Sequence, residues 1–490
     1  MKYDVCIVGG AGGGLSAAIK AAEHGAKVVV LEKMATTGGC TKMAGGILGL
    51  GTPVQERMGL HYDLDQAFKE LMTVNNWDAD SKLVRKWLNG MGENIRWLET
   101  LGVVFSEAAP PQSYAPHLRK SYHVTSDIRT GFHIWKSLLR ACERLGIDII
   151  VSARATHLLQ EDGHICGVVY EKNGEEFSVE VNAVILATGS ISANKELLKR
   201  FYNGDQYRNM RIMADVPHNT GDGLLMAEEI GAGTGQISTL FIGPHNHFAK
   251  ASQLVGTIPR RPHPIKVDRN GERFIDESWS TNSEFGWMQS VAIDYIPGKV
   301  SYAIMDQAMY HNMYSDSVKP FGMMEAISFG NLNVQNSQEF IAVMDREIEK
   351  EIQGGRAFKA NTLEELAAYI GCDSATLVQT VAEYNSYCDK GHDDMFLKDP
   401  QYLIPIRTGP FYAFLGPSGI DTCIGGLKID HRQRVLDRDD CVIPGLYAAG
   451  VMTSGWLGHL YAFGGSEMSY TIYSGRSAGT EAALFAKGSN

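Results

Sequence analysis

The opening residues of the chain set glycines and a carboxylate where a nucleotide's phosphates and ribose could be held. Tyr3-Asp4-Val5-Cys6-Ile7-Val8 is a short apolar run of strand type, followed at once by Gly9-Gly10-Ala11-Gly12-Gly13-Gly14, after which Leu15-Ser16-Ala17-Ala18 opens a helix. Backbone N–H groups at a helix N-terminus face negative charge, and glycines remove the Cβ atoms that would keep a pyrophosphate at a distance. A second apolar run, Ala26 to Leu31, ends in Glu32, eighteen residues after Gly14 and placed to accept hydrogen bonds from an adenosine ribose. The flanking strands and the acid distinguish this order from a glycine-rich surface turn. Ala11 stands where the pattern usually has its second glycine; its neighbours can absorb one methyl, so the site reads as intact.

The elements that must position these residues come from a chain of 490 residues, long enough for two domains. Apolar content of 44% with 21% charged residues is that of an ordinary globular enzyme. A net charge of −11 gives no basic stripe for nucleic acid. No apolar run approaches the roughly 20 residues that span a bilayer, so no membrane partner is expected. The eight cysteines are scattered without a C-x-x-C, which argues against c-type haem, zinc or iron–sulfur sites; no metal is expected. Scattered thiols, and a first strand that begins at Tyr3 with no room for a secretory signal, predict a cytoplasmic protein. Helical periods appear over Leu64–Val74, Leu83–Leu101 and Phe132–Leu145, and short strands over Ile147–Val151 and Gly167–Glu171 with a turn near Glu161-Asp162-Gly163. This middle stretch reads as a small sheet laid on a nucleotide-binding core.

Further pieces with the same character are spread along the chain. Thr37-Gly38-Gly39-Cys40-Thr41-Lys42-Met43-Ala44-Gly45-Gly46 suits backbone that lies close against a flat ring. Ala183-Val184-Ile185-Leu186-Ala187-Thr188-Gly189 is a buried strand ending in a tight turn, and Thr220-Gly221-Asp222-Gly223 opens a helix. Ile443 to Gly450 is a strand ending at glycine. It is followed by Gly464-Gly465-Ser466 and a helix over Glu467–Ala483 that carries Gly475-Arg476-Ser477-Ala478-Gly479.

In this order the chain resembles the flavoproteins of the fumarate reductase and succinate dehydrogenase superfamily, whose soluble relatives include fumarate reductases, urocanate reductases and 3-ketosteroid dehydrogenases. The resemblance covers nearly the whole chain, and the stretch from Ile443 onward is its most specific part. It implies an α/β fold: a Rossmann-type FAD-binding domain over residues 1–234 and 421–490, with an inserted α+β capping domain over 235–420. It implies non-covalent FAD, because no histidine stands in the Gly39–Gly46 segment. The implied cofactor contacts are the Gly9–Gly14 turn, Glu32 and Lys33, then Gly39, Cys40, Thr41, Ala44, Gly45 and Gly46. Ala155, Ala187, Thr188, Gly189, Asp222, Thr422, Gly450, Val451, Ser466 and Met468 complete the set. Ala155 would meet adenine by its backbone, and Asp222 would anchor the cofactor side. Val451 replaces the family's usual glutamate, which removes one ribityl anchor. The N-terminus of the last helix would face the flavin where reduction builds negative charge.

Family fumarate reductases clamp a dicarboxylate with arginine and histidine, the expected answer to carboxylate. The landmark Asn270-Gly271-Glu272-Arg273-Phe274-Ile275-Asp276-Glu277 sets the register, and four residues beyond Glu277 the proton-delivering arginine is replaced by Thr281. The family histidines before Gly425-Gly426 are replaced by Asp421 and Thr422, and the cap histidine by Gly243, with His245 and His247 nearby. The C-terminal arginine is replaced by Tyr461-Ala462-Phe463. Loss of the whole clamp predicts a neutral cyclic substrate, with Trp456, Leu457, His459, Tyr461 and Phe463 around the flavin. Relatives that turn the isoflavonoid tetrahydrodaidzein into equol are similar in size and build. The expected reaction is hydride transfer between flavin N5 and a phenolic, isoflavonoid or enone carbon, in the reducing direction, within anaerobic metabolism. Tyr461, His459, Tyr412 and Thr281 are the candidate proton donors, and Arg260 survives at a family proton-relay position. Electrons must come from outside, from NAD(P)H or a reduced carrier such as an electron-donor protein. Two alternatives remain open: a steroid or enone dehydrogenase or ene-reductase on the same scaffold, and an electron-transfer flavoprotein subunit.

Overall fold

The computed structural model describes residues 3–106, 121–127, 129–201, 211–212, 217–241, 252–281, 289–315, 336–417, 419–458, 461 and 463–488. The chain divides into two compact units. The first comprises Met1–Phe201, Val216–Leu240 and Thr422–Asn490; the second comprises Tyr202–Asp215 and Phe241–Asp421.

The first unit is Rossmann-type. Strand β1 (Val5–Val8), helix α1 (Gly12–Glu23) and strand β2 (Val28–Glu32) make the opening β-α-β turn. Strand β3 (Ile47–Leu48), helix α2 (Ser81–Thr100), strand β4 (Tyr122–His123), helix α3 (Thr130–Arg144) and strands β5 (Asp148–Val151) and β6 (Ala183–Leu186) follow. Helix α4 (Asp222–Glu229), strands β7 (Arg434–Leu436) and β8 (Val442–Ala448) and helix α5 (Ser466–Ala486) complete it. One six-stranded sheet runs β7-β8-β6-β1-β2-β5. All its pairs are parallel except β7 with β8. Strands β1, β2 and β6 are buried along their whole length, which is why they read as continuous apolar runs and not as alternating ones. A separate antiparallel three-stranded sheet, Arg154–Glu161, His164–Lys172 and Glu175–Glu180, is the small sheet expected from the middle stretch.

The helix periods settle close to where the sequence puts them. Leu64–Val74 is a helix over those residues, and α2 begins two residues ahead of the apolar pattern because the Asp80 carboxylate accepts from the Lys82 and Leu83 N–H groups. Helix α5 crosses α1 at very short range. A Cβ at Gly475 would lie 2.3 Å from the Gly13 carbonyl oxygen, and one at Gly479 would lie 2.3 Å from that of Ala17. The small residues of the last helix thus bring it against the glycine turn.

The second unit is α+β. Its antiparallel sheet orders Ile265–Val267, Val300–Asp306, Phe411–Pro417 and Ala357–Ala360. Helices Ser337–Gln353, Leu363–Ile370 and Ser374–Lys390 contribute Phe340, Leu366 and Tyr384 to the core on this sheet. Among the described residues no helix is long and apolar enough to cross a membrane.

Candidate cofactor and active site

The glycine turn closes on itself and on its neighbours. Gly9 has φ +111°, and a Cβ there would stand 2.3 Å from the Ala187 carbonyl oxygen, so the end of β1 and the Ala187-Thr188-Gly189 turn after β6 meet backbone to backbone. A Cβ at Gly14 would lie 1.8 Å from the Gly9 oxygen. Helix α1 starts at N-cap Ala11 without a side-chain cap, and the Gly12 N–H donates to Thr41 Oγ1 at 2.8 Å. A Cβ at Gly39 would come 3.3 Å from the Ala11 methyl. The methyl that departs from the pattern therefore packs toward the Gly39 segment, where glycine leaves room for it.

At the end of β2 the buried Glu32 carboxylate accepts from the Gly10 N–H through Oε2 and the Met34 N–H through Oε1, both at 2.8 Å. Each oxygen keeps further acceptor capacity. Lys33 Nζ donates to Thr220 Oγ1 at 2.7 Å and to Asp222 Oδ2 at 3.0 Å. Arg154 reaches Asp222 Oδ1 at 3.3 Å. Burial pushes the Asp222 carboxyl up, but Lys33, Arg154 and Thr220 outweigh it and hold it below its ordinary range. Asp222 opens α4, where the Gly223 N–H donates to Thr188 Oγ1 at 3.2 Å. Ala155 and Thr422 are buried in the same unit. The Gly450 N–H donates to Ser474 Oγ at 2.9 Å, and Val451 lies buried in the short turn that follows.

The start of α5 brings the remaining pieces together. Gly465, with φ +83°, is its N-cap, and a Cβ there would meet Leu48 N at 2.6 Å and Tyr122 Cε2 at 2.9 Å. A Cβ at Gly46 would meet Tyr122 Cε1 at 2.3 Å. The buried Tyr122 ring therefore lies between the Gly45-Gly46 pair and the helix start. The Tyr461 hydroxyl accepts from the Gly465 N–H at 3.1 Å and the Glu467 N–H at 3.4 Å, capping α5 from the preceding loop. Burial, and then the neighbouring Tyr461, push the Tyr122 phenol well above its ordinary range. Ser466 Oγ is buried with no hydrogen-bond partner among the described residues, and Met468 is buried two residues on. A glycine-lined turn at the start of α1 and an orphaned hydroxyl at the start of α5 fit a bound dinucleotide with a flat ring.

Two of the expected aromatic residues, Trp456 and Tyr412, are committed to core packing. Trp456 is not a ligand wall: it stacks on Tyr470 with centroids 4.3 Å apart and meets Trp87 edge-on at 5.4 Å, inside the core. Leu457 and Phe463 are buried as well. Tyr412 belongs to the second unit's core, stacked on Phe414 and packed beside Tyr310, so its ring is committed to the sheet. Arg260 ends the short helical turn Ile258–Arg260, and Thr281 ends another, Glu277–Thr281. His459, Ala462, Gly243, His245 and His247 lie outside the described residues.

Residues that the pattern reading passes over also line the cradle. Tyr122 sits on a two-residue strand, too short for any periodicity. His218 and Asn219 lie one and two residues ahead of Thr220-Gly221-Asp222, and their side chains turn toward Cys40. Proximity to a glycine motif was the available signal for the last two; for Tyr122 there was none.

The FAD binding domain family matches residues 4–468. The chain is 30% identical to the vinyl phenol reductase of Lactiplantibacillus plantarum, over 99% of this chain and 97% of that protein. It is 28% identical to the probable fumarate reductase Ifc3 of Shewanella frigidimarina, over 98% of this chain and 75% of that protein. Among solved structures, the open conformation of a flavocytochrome c3 fumarate reductase superposes with a TM-score of 0.74 at 26% identity, covering 99% of this chain and 78% of that one. A match that runs from the first strand into the last helix, over a Rossmann-type unit with this cradle, makes the chain a member of the FAD-dependent fumarate reductase and succinate dehydrogenase flavoprotein superfamily, and an oxidoreductase.

Proposed function

We propose that the protein reduces a neutral cyclic substrate, phenolic, isoflavonoid or enone, and not a dicarboxylate; conversion of tetrahydrodaidzein to equol is the specific candidate. The observation that carries this reading is Tyr461. Where fumarate reductases hold an arginine, a phenol reaches the N-terminal amides of α5. A neutral hydroxyl there offers no countercharge to a carboxylate, and burying an unpaired carboxylate costs several kcal/mol. The 30% identity to a protein named for reducing a vinyl phenol supports the same substrate class.

The cofactor residues are those of the first unit: the Gly9–Gly14 turn at the pyrophosphate, Glu32 with Lys33 and Asp222 at the adenosine end, and Gly39–Gly46 with Ser466 and Met468 at the flavin. FAD, held non-covalently, supplies hydride transfer at N5 when bound. The chain supplies position and a proton. Tyr461 accepts two N–H groups, and its own O–H is the proton it would give to substrate. Those two amides and the helix dipole then stabilise the phenolate left behind. His459 and Thr281 are the second candidates, and electrons arrive from NAD(P)H or a reduced carrier in the cytoplasm.

Anaerobic turnover with a reduced viologen tests the substrate class. Tetrahydrodaidzein, 4-vinylphenol or a steroid enone should reoxidise the dye at least about 100-fold faster than fumarate, the scale of several kcal/mol lost from the carboxylate. Fumarate turned over as fast as the neutral compounds contradicts the proposal.

A further inference from the structure

Cys40 stands on the short helical turn Gly39–Met43 and is only half-buried. His218 Nε2 lies 3.9 Å from its sulfur, and the Asn219 side-chain amide donates to the same sulfur at 3.5 Å. Asn219 is itself held by Ser192 Oγ at 3.4 Å and is buried, so its amide is aimed and not free to swing. Of the seven other cysteines, Cys6, Cys142 and Cys423 are buried, Cys441 is exposed, and Cys166, Cys372 and Cys388 are half-buried like Cys40 but carry no imidazole at the sulfur among the described residues. Cys40 alone among the described thiols combines access to solvent with an imidazole and an amide donor at its sulfur.

We infer that Cys40, His218 and Asn219 form an activated thiol, a modification site for peroxides and soft electrophiles within the cofactor cradle. The thiolate is the reactive form of cysteine, and a neighbouring imidazole with positive surroundings produces it. The charged groups that face His218 are Lys33, Glu32 and Lys42. Burial, and then Lys33, with Lys42 behind it, keep the imidazole below its ordinary range against the opposing pull of Glu32, and its Nε2 is the nitrogen that lies within reach of the thiol proton. With hydrogen peroxide the balance is as follows. The Cys40 proton passes to His218 Nε2, the sulfur attacks one peroxide oxygen, the S–O bond forms and the O–O bond breaks. Sulfur is oxidised to the sulfenic acid, peroxide is reduced, and the departing hydroxide takes the imidazole proton and leaves as water.

The consequence for the cofactor rests on the FAD placement proposed above. Cys40 is next to Thr41, whose hydroxyl accepts from Gly12 at the start of α1. An oxygen added to Cys40 enters the cradle itself and should loosen FAD.

The test is iodoacetamide labelling of the purified protein, stripped of its non-covalent flavin and then resupplied with excess FAD, read by peptide mass spectrometry against the exposed Cys441. A free thiol with a pKa of about 8.5 is only a few per cent thiolate at pH 7, so an activated Cys40 should label about tenfold faster than Cys441. Its rate should reach half its maximum below pH 8. His218→Ala should bring Cys40 down to the Cys441 rate, and Asn219→Ala should lower it partway and serves if the first variant does not fold. Excess FAD should slow Cys40 and leave Cys441 unchanged. Cys40 labelling no faster than Cys441 in either condition, or unchanged by these substitutions, overturns the activated thiol. Fast labelling that FAD does not slow leaves the thiol standing and contradicts the placement of FAD over Cys40.

Discussion

The glycine cradle of the first unit and the charge cluster of the second both grow from stretches that stand out as motifs, yet they are finished in opposite ways. In the second unit Arg273 donates to Glu277 at 3.0 and 2.7 Å and to Asp393 at 2.8 Å. Lys398 lies 3.6 Å from Glu277, and the Lys266 backbone N–H donates to the same carboxylate at 3.0 Å. Glu277 and Asp393 are fully buried. In the cradle, by contrast, Ser466 Oγ has no partner among the described residues, the N-cap Ala11 of α1 offers no side-chain cap and each Glu32 oxygen accepts one N–H. A region whose polar groups answer one another is holding a fold together. One whose polar groups keep capacity for further hydrogen bonds can also hold a ligand.

The largest effect expected from this contrast is in the second unit. Arg273→Ala leaves two buried carboxylates without their main partner and should cost about 3–5 kcal/mol. A urea unfolding midpoint that barely moves would show that Lys398 and Lys266 suffice, and that the cluster is less tightly coupled than its geometry indicates.

The next effect is a pH dependence, and it sharpens the comparison because each unit holds a histidine whose proton affinity is depressed. His123 carries its proton on Nδ1, donated to the Ser121 carbonyl at 2.9 Å, and Nε2 accepts from Thr52 Oγ1 at 2.8 Å. Burial, opposed by that backbone bond, pushes it down to about 4. His263 of the second unit is pushed down to about 3 by burial and then by Arg261, Lys398 and Lys266. A histidine whose folded value is depressed binds its proton first in the unfolded chain. Stability is therefore full above about pH 6.5 and falls as pH drops through about 4, by up to about 3 kcal/mol for His123. Unfolding midpoints at pH 7 and pH 5 should differ, and His123→Gln should flatten part of the slope. An unchanged slope would assign the acid loss to the second unit.

The smallest of these effects belongs to the cradle. Glu32→Ala removes the acceptor for Gly10 and Met34 together with the proposed ribose contact. FAD retention should weaken by roughly 1.5–3 kcal/mol, about tenfold to a hundredfold, with little change in the fold. Equilibrium dialysis of the released flavin measures it, and wild-type affinity in the variant would remove Glu32 from the adenosine site.

Much of the first unit was legible in the sequence because its cues are local. A buried strand, a glycine turn and an acid occur within Tyr3–Glu32, and α2, α3 and α5 announce themselves by period or by small residues. The Asn270–Glu277 stretch was legible only as a landmark. That Arg273 reaches Asp393, 120 residues away, is a property of the tertiary fold with no signature in either segment. Tyr122 was invisible for a related reason: what places it is the absence of side chains at Gly46 and Gly465, two distant positions. Trp456 misled because a large aromatic near a flavin segment reads the same whether it faces a ligand or, as here, Trp87 and Tyr470.

Tyr461→Phe, followed by anaerobic stopped-flow, bears most directly on the claim that the start of α5 holds the acid for a neutral substrate. The substitution removes one hydroxyl from the helix cap, which should lower stability by about 0.5–2 kcal/mol and leave FAD bound. Reduction of the flavin by an artificial donor should proceed at the wild-type rate. Its reoxidation by tetrahydrodaidzein or 4-vinylphenol should slow by roughly 10²–10⁴-fold, the usual worth of a general acid. Reoxidation at near wild-type rate, with flavin content and fold intact, would contradict the assignment and move the acid to another residue.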